Sequence, residues 1–215
     1  MRIKAILYDF DGVIKESTEI KTIAFEKLYA PYGTDVAEKV VQHHISHGGI
    51  SRFEKFKLYH KNYLGIDLNE EQINELADQF SAIVLDQVIQ SNYVKGALES
   101  IQRLSEKCDQ FIVTGTPQNE IELITNSLNI SQYFKGILGS PKDKITLSQE
   151  ILDQYGYQSN EVLFIGDAST DYKAAIHFSF YFILREHDEN EKQFQDISVI
   201  KTKDLTNLEQ LIQNL

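Results

Sequence analysis

The spacing of hydrophobic and polar positions changes twice along the chain. Residues 3–10 form a short apolar run that ends in a polar turn, which predicts a buried first strand. From about residue 17 to residue 90 the apolar positions recur at helical spacing, and after Gly96 short apolar runs alternate with helical segments. Alternating strands and helices are typical of βαβ units, which build a parallel sheet covered by helices on both faces.

The helical stretch divides into four amphipathic segments, which predict a small bundle. The signals that bound these segments are Pro31, the pair Gly48-Gly49, and two capping-box patterns, Ser51 with Glu54 and Asn69 with Gln72. The fold class is therefore α/β: a doubly wound parallel-sheet core with a small all-helical cap inserted after the first strand. We expect residues 1–14 and 94–215 to form the core and residues 15–93 to form the cap.

The part after the helical stretch supplies the remaining elements of the sheet. We expect strands at residues 111–113, 137–138, 162–165 and 180–184, a weaker one at 197–200, helices at 145–154 and 205–215, and a helix with Pro117 at its first position.

Composition and charge narrow the class of protein. With 42% hydrophobic and 25% charged residues among 215, the chain is globular in composition. The net charge of −11 argues against a general nucleic-acid binder and against anionic membrane surfaces. Its one cysteine, Cys108, cannot form an intramolecular disulfide, which favours a reducing compartment. No apolar run approaches the roughly 18 residues of a membrane span, so we expect a cytoplasmic protein. We expect it to be a monomer or a homodimer.

Three predicted strands end in turns of small and polar residues. These turns are Asp9-Phe10-Asp11-Gly12, Thr114-Gly115-Thr116, and Gly166-Asp167 through Asp171. Each turn alone also fits ordinary turn or helix-capping chemistry. In parallel sheets, however, ligands bind beyond the carboxyl ends of the strands, so neighbouring strands would bring four carboxylates into one crevice. A cluster of oxygen ligands favours a hard cation, and we expect Mg²⁺.

Together, in this order, the three turns resemble the motifs of the haloacid dehalogenase superfamily of phosphohydrolases, over essentially the whole chain. The resemblance implies that Asp9 is the nucleophile and Asp11 the general acid and base. It also implies that Thr114, Gly115 and Thr116 bind the phosphoryl group.

The resemblance further implies a metal site and a catalytic lysine. Asp9, Asp11 through its carbonyl, and Asp167 are expected to bind Mg²⁺, while Asp171 is expected to orient the site. Both Lys142 and Lys144 qualify as the lysine, and we favour Lys144 because it leads directly into a helix.

The loop between the second and third helices of the predicted cap concentrates cations in an acidic protein. By resemblance, His47, Gly49, Ser51 and Arg52 would contact the leaving group. Three alternatives compete: the glycine pair only breaks a helix, Arg52 and Lys55 form a solvated face, or His43, His44 and His47 bind zinc. The zinc site is the weakest, because the three histidines cannot share one helical face.

These expectations converge on a Mg²⁺-dependent phosphatase that hydrolyses a small phosphorylated metabolite, such as a sugar phosphate, through an aspartyl-phosphate intermediate. A phosphomutase of the same superfamily is the nearest alternative. A phosphonatase would need a cap lysine that forms a Schiff base, and Lys55 and Lys57 are available. A signalling receiver is disfavoured because it carries no helical insert after its first strand.

Overall fold

The computed structural model describes residues 3–215. Met1 and Arg2, which precede the predicted first strand, lie outside the described residues. The centre of the structure is a six-stranded parallel sheet. The strands are β1 (Ala5–Tyr8), β2 (Asp109–Pro117), β3 (Gly136–Ser140), β4 (Val162–Gly166), β5 (Tyr181–Arg185) and β6 (Ile200–Thr202). Their order across the sheet is β3-β2-β1-β4-β5-β6. The predicted α/β class is confirmed.

The first strand lies in the middle of the sheet, between β2 and β4. Leu7 is in register with Phe111 on one side and with Phe164 on the other. Because β1, β2 and β4 run parallel and are adjacent, their carboxyl ends lie side by side. The three polar turns identified in the sequence follow or close these three strands.

Nine helices surround the sheet in the described part of the chain. Five of them lie between β1 and β2, and the first four are together called the helical insertion. Its members are α1 (Thr18–Tyr29), α2 (Thr34–Ser46), α3 (Arg52–Tyr59) and α4 (Glu70–Gln90). The others are α5 (Ala97–Leu104), α6 (Gln118–Ser127), α7 (Lys144–Tyr155), α8 (Ser169–Phe178) and α9 (Leu208–Gln213). Within residues 3–215, no helix is both long and apolar enough to cross a bilayer.

Two hydrophobic clusters explain why β1 is apolar throughout. Ile6 and Tyr8 belong to a cluster that continues into the helical insertion, where it includes Phe25 and Phe80. Alternate residues of the same strand, including Leu7, belong to a second cluster with α7 and α8 on the opposite face. The strand is buried on both faces, so its sequence lacks the alternation of a half-exposed strand.

Most predicted elements are present, with differences at their ends. Asn69 and Gln72 form both hydrogen bonds of the capping box. Ser51 caps α3 by accepting from the Phe53 N–H, but Glu54 pairs with Lys57 instead of completing the box.

Three expectations about element ends were wrong. Pro117 is the residue before α6 and not its first helical residue, and the last helix is shorter than residues 205–215. The last strand lies at residues 200–202 and not at 197–200. It pairs on one side only, with β5, so an apolar run does not mark it. The division into a core and a cap at residues 15 and 93 stays a prediction.

Candidate active site

The carboxyl ends of β1 and β4 bring three buried carboxylates together. Asp9 directly follows β1, Asp167 directly follows β4, and Asp171 lies in the first turn of α8. Each offers a carboxylate oxygen that lies within 4.8 Å of the others. Residues from two distant parts of the chain therefore form one compact group of oxygen donors.

Local backbone features hold this group in place. Gly12 has a φ of +76°, and a Cβ at this position would lie 2.1 Å from Oδ2 of Asp167. The turn after β1 thus approaches Asp167 closely because it lacks a side chain at Gly12. Asp171 accepts hydrogen bonds through Oδ2 from the backbone N–H groups of Asp167, at 3.2 Å, and of Ala168, at 2.9 Å. Its second oxygen remains for another partner.

Lys144 is that partner. Its Nζ lies 2.5 Å from Oδ1 of Asp171 and 2.7 Å from Oδ2 of Asp9, and all three side chains are buried. Lys142, which the sequence left as an alternative, is exposed and forms an ion pair with Glu150 at 2.6 Å. Of the two candidate lysines, only Lys144 reaches the carboxylates.

Burial and mutual repulsion destabilise the charged forms of these aspartates. Burial raises the pKa of Asp9 well above its ordinary value, Lys144 opposes this, and Asp171, Asp167 and Asp11 raise it further. The pKa of Asp171 is also raised, mainly by burial. Burial alone would lower the pKa of Lys144, but its two carboxylate partners raise it.

The donor set fits a divalent cation. Lys144 contacts Asp9 and Asp171, whereas the third carboxylate, Asp167, contacts His187. When ionised, the three carboxylates carry more negative charge than the ammonium of Lys144 offsets. A bound dication would remove this imbalance, and clustered oxygen donors suit Mg²⁺. The arrangement of Asp9, Asp167 and Asp171 is therefore compatible with the metal that the sequence predicts.

The carboxylate of Asp11 has different partners. It forms an ion pair with Lys21 and accepts hydrogen bonds from the hydroxyls of Ser17, at 2.6 Å, and Thr116, at 3.0 Å. Burial alone would raise the pKa of Asp11, but the charge of Lys21 and these hydrogen bonds lower it below the ordinary value. In this arrangement Asp11 is ionised and able to accept a proton.

The phosphoryl-binding residues expected from the second turn lie beside these carboxylates. Thr114, Gly115 and Thr116 line the same cavity as Asp9 and Asp11. The Oγ1 of Thr114 accepts a hydrogen bond from the Thr116 N–H at 3.2 Å. The hydroxyl of Thr116 instead faces Asp11 and Lys21, so its side chain is already engaged there.

The sequence analysis did not identify several residues that contact the site. His187 lies 2.8 Å from Oδ2 of Asp167 through its Nε2, and Asn190 donates to the main-chain oxygen of Asp167 at 2.8 Å. Both follow β5, so the rule that strand ends build the site would have found them. Lys21 carries no comparable signal, because it is one of several lysines on an amphipathic helix.

The helical insertion closes over the carboxyl ends of the strands. The cavity there, of about 90 Å³, is lined by residues of both the sheet and the insertion. At the contact, a Cβ on Gly115 would lie 2.7 Å from the main-chain oxygen of Gly49. Gly49 has a φ of +76°, and a Cβ there would lie 1.9 Å from the hydroxyl of Thr170. The loop that contains Gly49 therefore rests directly on the end of β2 and on the first turn of α8.

The predicted substrate residues of this loop differ in their placement. Gly49 and Arg52 line the cavity. His47 is exposed, and its ring stacks on His43 with centroids 4.0 Å apart, while Ser51 caps α3. The third histidine, His44, contacts Phe25 instead, so the structure gives the zinc alternative no support among the described residues.

Arg52 and Lys55 are buried, so the alternative that they form a solvated face was wrong. They are 4% and 2% exposed. The Arg52 guanidinium forms two hydrogen bonds with Glu120 on α6, at 2.6 and 2.9 Å, and a third with Ser81 on α4. The sequence could not show this, because Glu120 is remote in the chain and only folding brings it to Arg52.

Comparison with known families agrees with this geometry. The family model described as haloacid dehalogenase-like hydrolase matches residues 6–184, which is most of the chain. No curated protein matches this chain.

Solved structures share the fold. β-Phosphoglucomutase from Clostridium difficile superposes with a TM-score of 0.77 at 20% identity, covering 99% of this chain and 96% of that one. A predicted phosphoglycolate phosphatase from Haemophilus somnus 129PT has a TM-score of 0.75 at 16% identity, covering 99% of each chain. CbbY from Rhodobacter sphaeroides in complex with phosphate has a TM-score of 0.75 at 14% identity, covering 96% of each chain. At these identities the likeness shows the fold alone.

Proposed function

The chain belongs to the haloacid dehalogenase-like hydrolase family, and from that premise we propose that it is a Mg²⁺-dependent phosphatase acting on a small phosphomonoester. The observation that carries the proposal is the buried group of Asp9, Asp167 and Asp171, in which Asp9 and Asp171 share the ammonium of Lys144. A nucleophile beside clustered oxygen donors suits phosphoryl transfer, in which positioning and charge neutralisation supply most of the catalysis.

In this proposal the carboxylates of Asp9 and Asp167 would hold the metal, together with the main-chain carbonyl of Asp11, and Asp171 would orient the turn that carries Asp167. When bound, Mg²⁺ offsets the negative charge of the phosphoryl group and of the carboxylates. The hydrogen bonds from His187 and Asn190 to Asp167 support its orientation, as partners of metal ligands commonly do.

Asp9 attacks phosphorus through one carboxylate oxygen, and the bond from phosphorus to the ester oxygen breaks. Lys144, 2.7 Å from the other Asp9 oxygen, restrains the nucleophile and offsets its charge. The hydroxyl of Thr114 and the N–H of Gly115 bind the equatorial phosphoryl oxygens in the transition state. Water then attacks the aspartyl phosphate, which releases phosphate and restores Asp9.

Asp11 moves the protons of both steps. It donates a proton to the departing ester oxygen and later accepts one from the attacking water. The ion pair with Lys21 keeps Asp11 ionised, which suits the second step. The first step requires this ion pair to loosen, so that the pKa of Asp11 rises and the carboxyl group can carry a proton.

A panel of phosphorylated metabolites, assayed for phosphate release with and without Mg²⁺, tests the proposal. We expect release to depend on Mg²⁺ and to be lost in Asp9→Asn, while that variant largely keeps its fold and its stabilisation by Mg²⁺. Undiminished turnover by Asp9→Asn would refute the nucleophile assignment.

Two related reactions are separated by product analysis. A phosphomutase would return the phosphoryl group to a hexose phosphate instead of releasing phosphate. A phosphonatase has one observation in its favour, because burial and the nearby charge of Lys21 lower the pKa of Lys55 to about 7. Borohydride trapping of Lys55 with a phosphonoaldehyde would support that reaction, whereas phosphate release from an ester without trapping supports the phosphatase.

A further inference from the structure

Three cations of the helical insertion line the cavity, and they differ in how they are neutralised. Lys21 pairs with Asp11, and Arg52 pairs with Glu120. Lys55 is 2% exposed, yet no carboxylate among residues 3–215 forms an ion pair with it. A buried ammonium without a counter-charge is costly, so its presence at a cavity wall calls for an explanation.

The neighbours of Lys55 orient it without neutralising it. Its Nζ lies 2.8 Å from Nδ1 of His44. In its ammonium form Lys55 can only donate, so Nδ1 then accepts and His44 is neutral with its proton on Nε2. Burial, with the charge of Lys55, lowers the pKa of His44 well below its ordinary value, which agrees with a neutral ring. The Phe25 ring, centred 5.6 Å from Nζ, adds an apolar wall.

The position of Lys55 relative to the reacting groups follows from its neighbours. Lys55 Nζ lies 5.6 Å from the centre of the Phe25 ring, and Phe25 is one helical turn from Lys21 on α1. Lys21 in turn contacts Asp11, and all four side chains line the same cavity. Lys55 therefore lies on the Asp11 side of the cavity, where the departing ester oxygen and the remainder of the substrate would lie.

Resting on the proposed function, we propose that Lys55, oriented by His44, binds a second anionic group on the leaving-group portion of the substrate. The substrate class is then a phosphomonoester that carries a further carboxylate or phosphate. The bound anion supplies the counter-charge that the protein itself does not provide. Lys55 is in this sense a specificity-determining residue and takes no part in the bond changes at phosphorus.

The test compares three esters of similar size: ethyl phosphate, carboxymethyl phosphate and ethylene glycol bisphosphate. Each is assayed for kcat/KM with wild type, Lys55→Met and the matched control Lys57→Met. Lys57 is two residues away on α3 but exposed, and it pairs with Glu54 at 2.9 Å. Methionine keeps the length of the side chain and removes the charge, so Lys55→Met should fold and melt at or above the wild-type temperature.

We expect wild type to prefer at least one of the two doubly anionic esters over ethyl phosphate. Lys55→Met should lower kcat/KM for that ester about 10- to 100-fold, the effect of losing one charge-assisted hydrogen bond, and change ethyl phosphate by less than about threefold. Lys57→Met should change none. The preferred ester identifies the anion as a carboxylate or a phosphate. Equal use of all three esters by wild type, equal losses on all three in Lys55→Met, or borohydride trapping on Lys55 would overturn the inference.

A binding measurement separates this inference from the proposed function. Asp9→Asn, which should not turn over, is titrated calorimetrically with carboxymethyl phosphate and with ethylene glycol bisphosphate in Mg²⁺, with and without Lys55→Met. Binding that weakens with Lys55→Met supports the anion site even if wild type hydrolyses none of the esters, in which case only the phosphatase proposal fails. Hydrolysis together with binding that ignores Lys55→Met refutes the anion site alone.

Discussion

The buried ion pair between Arg52 and Glu120 offers the sharpest test of how the helical insertion is held against the helices that cover the sheet. Arg52 belongs to α3 of the insertion and Glu120 to α6, which follows β2. The two side chains are 4% and 7% exposed and form two hydrogen bonds. Ser81 of α4 also contacts both of them. The pair therefore joins three helices at one desolvated point.

The burial of this pair sets the size of the expected loss of stability. Removing one partner leaves the other charge buried without compensation, which costs about 3–5 kcal/mol of unfolding free energy. At roughly 2–4 °C per kcal/mol for a chain of this size, Arg52→Met or Glu120→Met should lower Tm by about 6–20 °C. Replacing both residues by methionine removes both charges, so the double variant should lie within about 2 kcal/mol of wild type.

Urea unfolding of wild type, both single variants and the double variant completes the cycle. Lys57→Met, which breaks the exposed pair with Glu54, is the control and should change stability by about 1 kcal/mol or less. Additive losses in the double variant would refute the coupling. Phosphate release adds a second readout: the double variant should stay active if Arg52 acts through Glu120, and its inactivity would instead support the predicted substrate contact of Arg52.

Three further outcomes follow from the site. Lys144→Met should destabilise the metal-free protein by about 3–5 kcal/mol and reduce phosphate release by about 100-fold or more, whereas Lys142→Met should be neutral; equal losses would contradict the assignment. Gly12→Ala should reduce phosphate release and the increase in Tm caused by Mg²⁺. The control Gly156→Ala, at a φ of +71° in open space, should cost only about 1–2 kcal/mol of stability. Equal losses of the Mg²⁺-dependent Tm increase in the two variants would contradict the close approach of Gly12 to the carboxylates. Because the folded-state pKa of the buried Asp9 is raised, the metal-free protein should lose stability as pH rises above about 4 and through that raised pKa. The Tm increase caused by Mg²⁺ should grow over the same range, and a Tm increase that is constant from pH 5 to 8 would refute this.

The elements of the fold were largely predictable because their signals are local. A strand buried on both faces must be apolar throughout, which is how β1 and β4 appear in the sequence. The start of α4 at the Asn69 capping box depends on residues within one turn. The edge strand β6 was misplaced because pairing on one side imposes little pattern.

Part of the site was also predictable, since polar turns at strand ends share one edge of a parallel sheet. The sequence could thus nominate Asp9 and Asp167 together. It favoured Lys144 over Lys142 only by its position at the start of a helix, and the structure adds that Lys144 is buried against the carboxylates whereas Lys142 is exposed.

The sequence by itself determined which segments become strands and helices and which turns carry the acids, because backbone propensity and hydrophobic periodicity act over a few residues. Only the tertiary structure decided that β1 lies between β2 and β4, that Arg52 meets Glu120, and that Lys55 is buried beside the site with no carboxylate partner among the described residues. Those outcomes depend on which surfaces of distant segments meet, and burial then sets the charge and partner of each side chain.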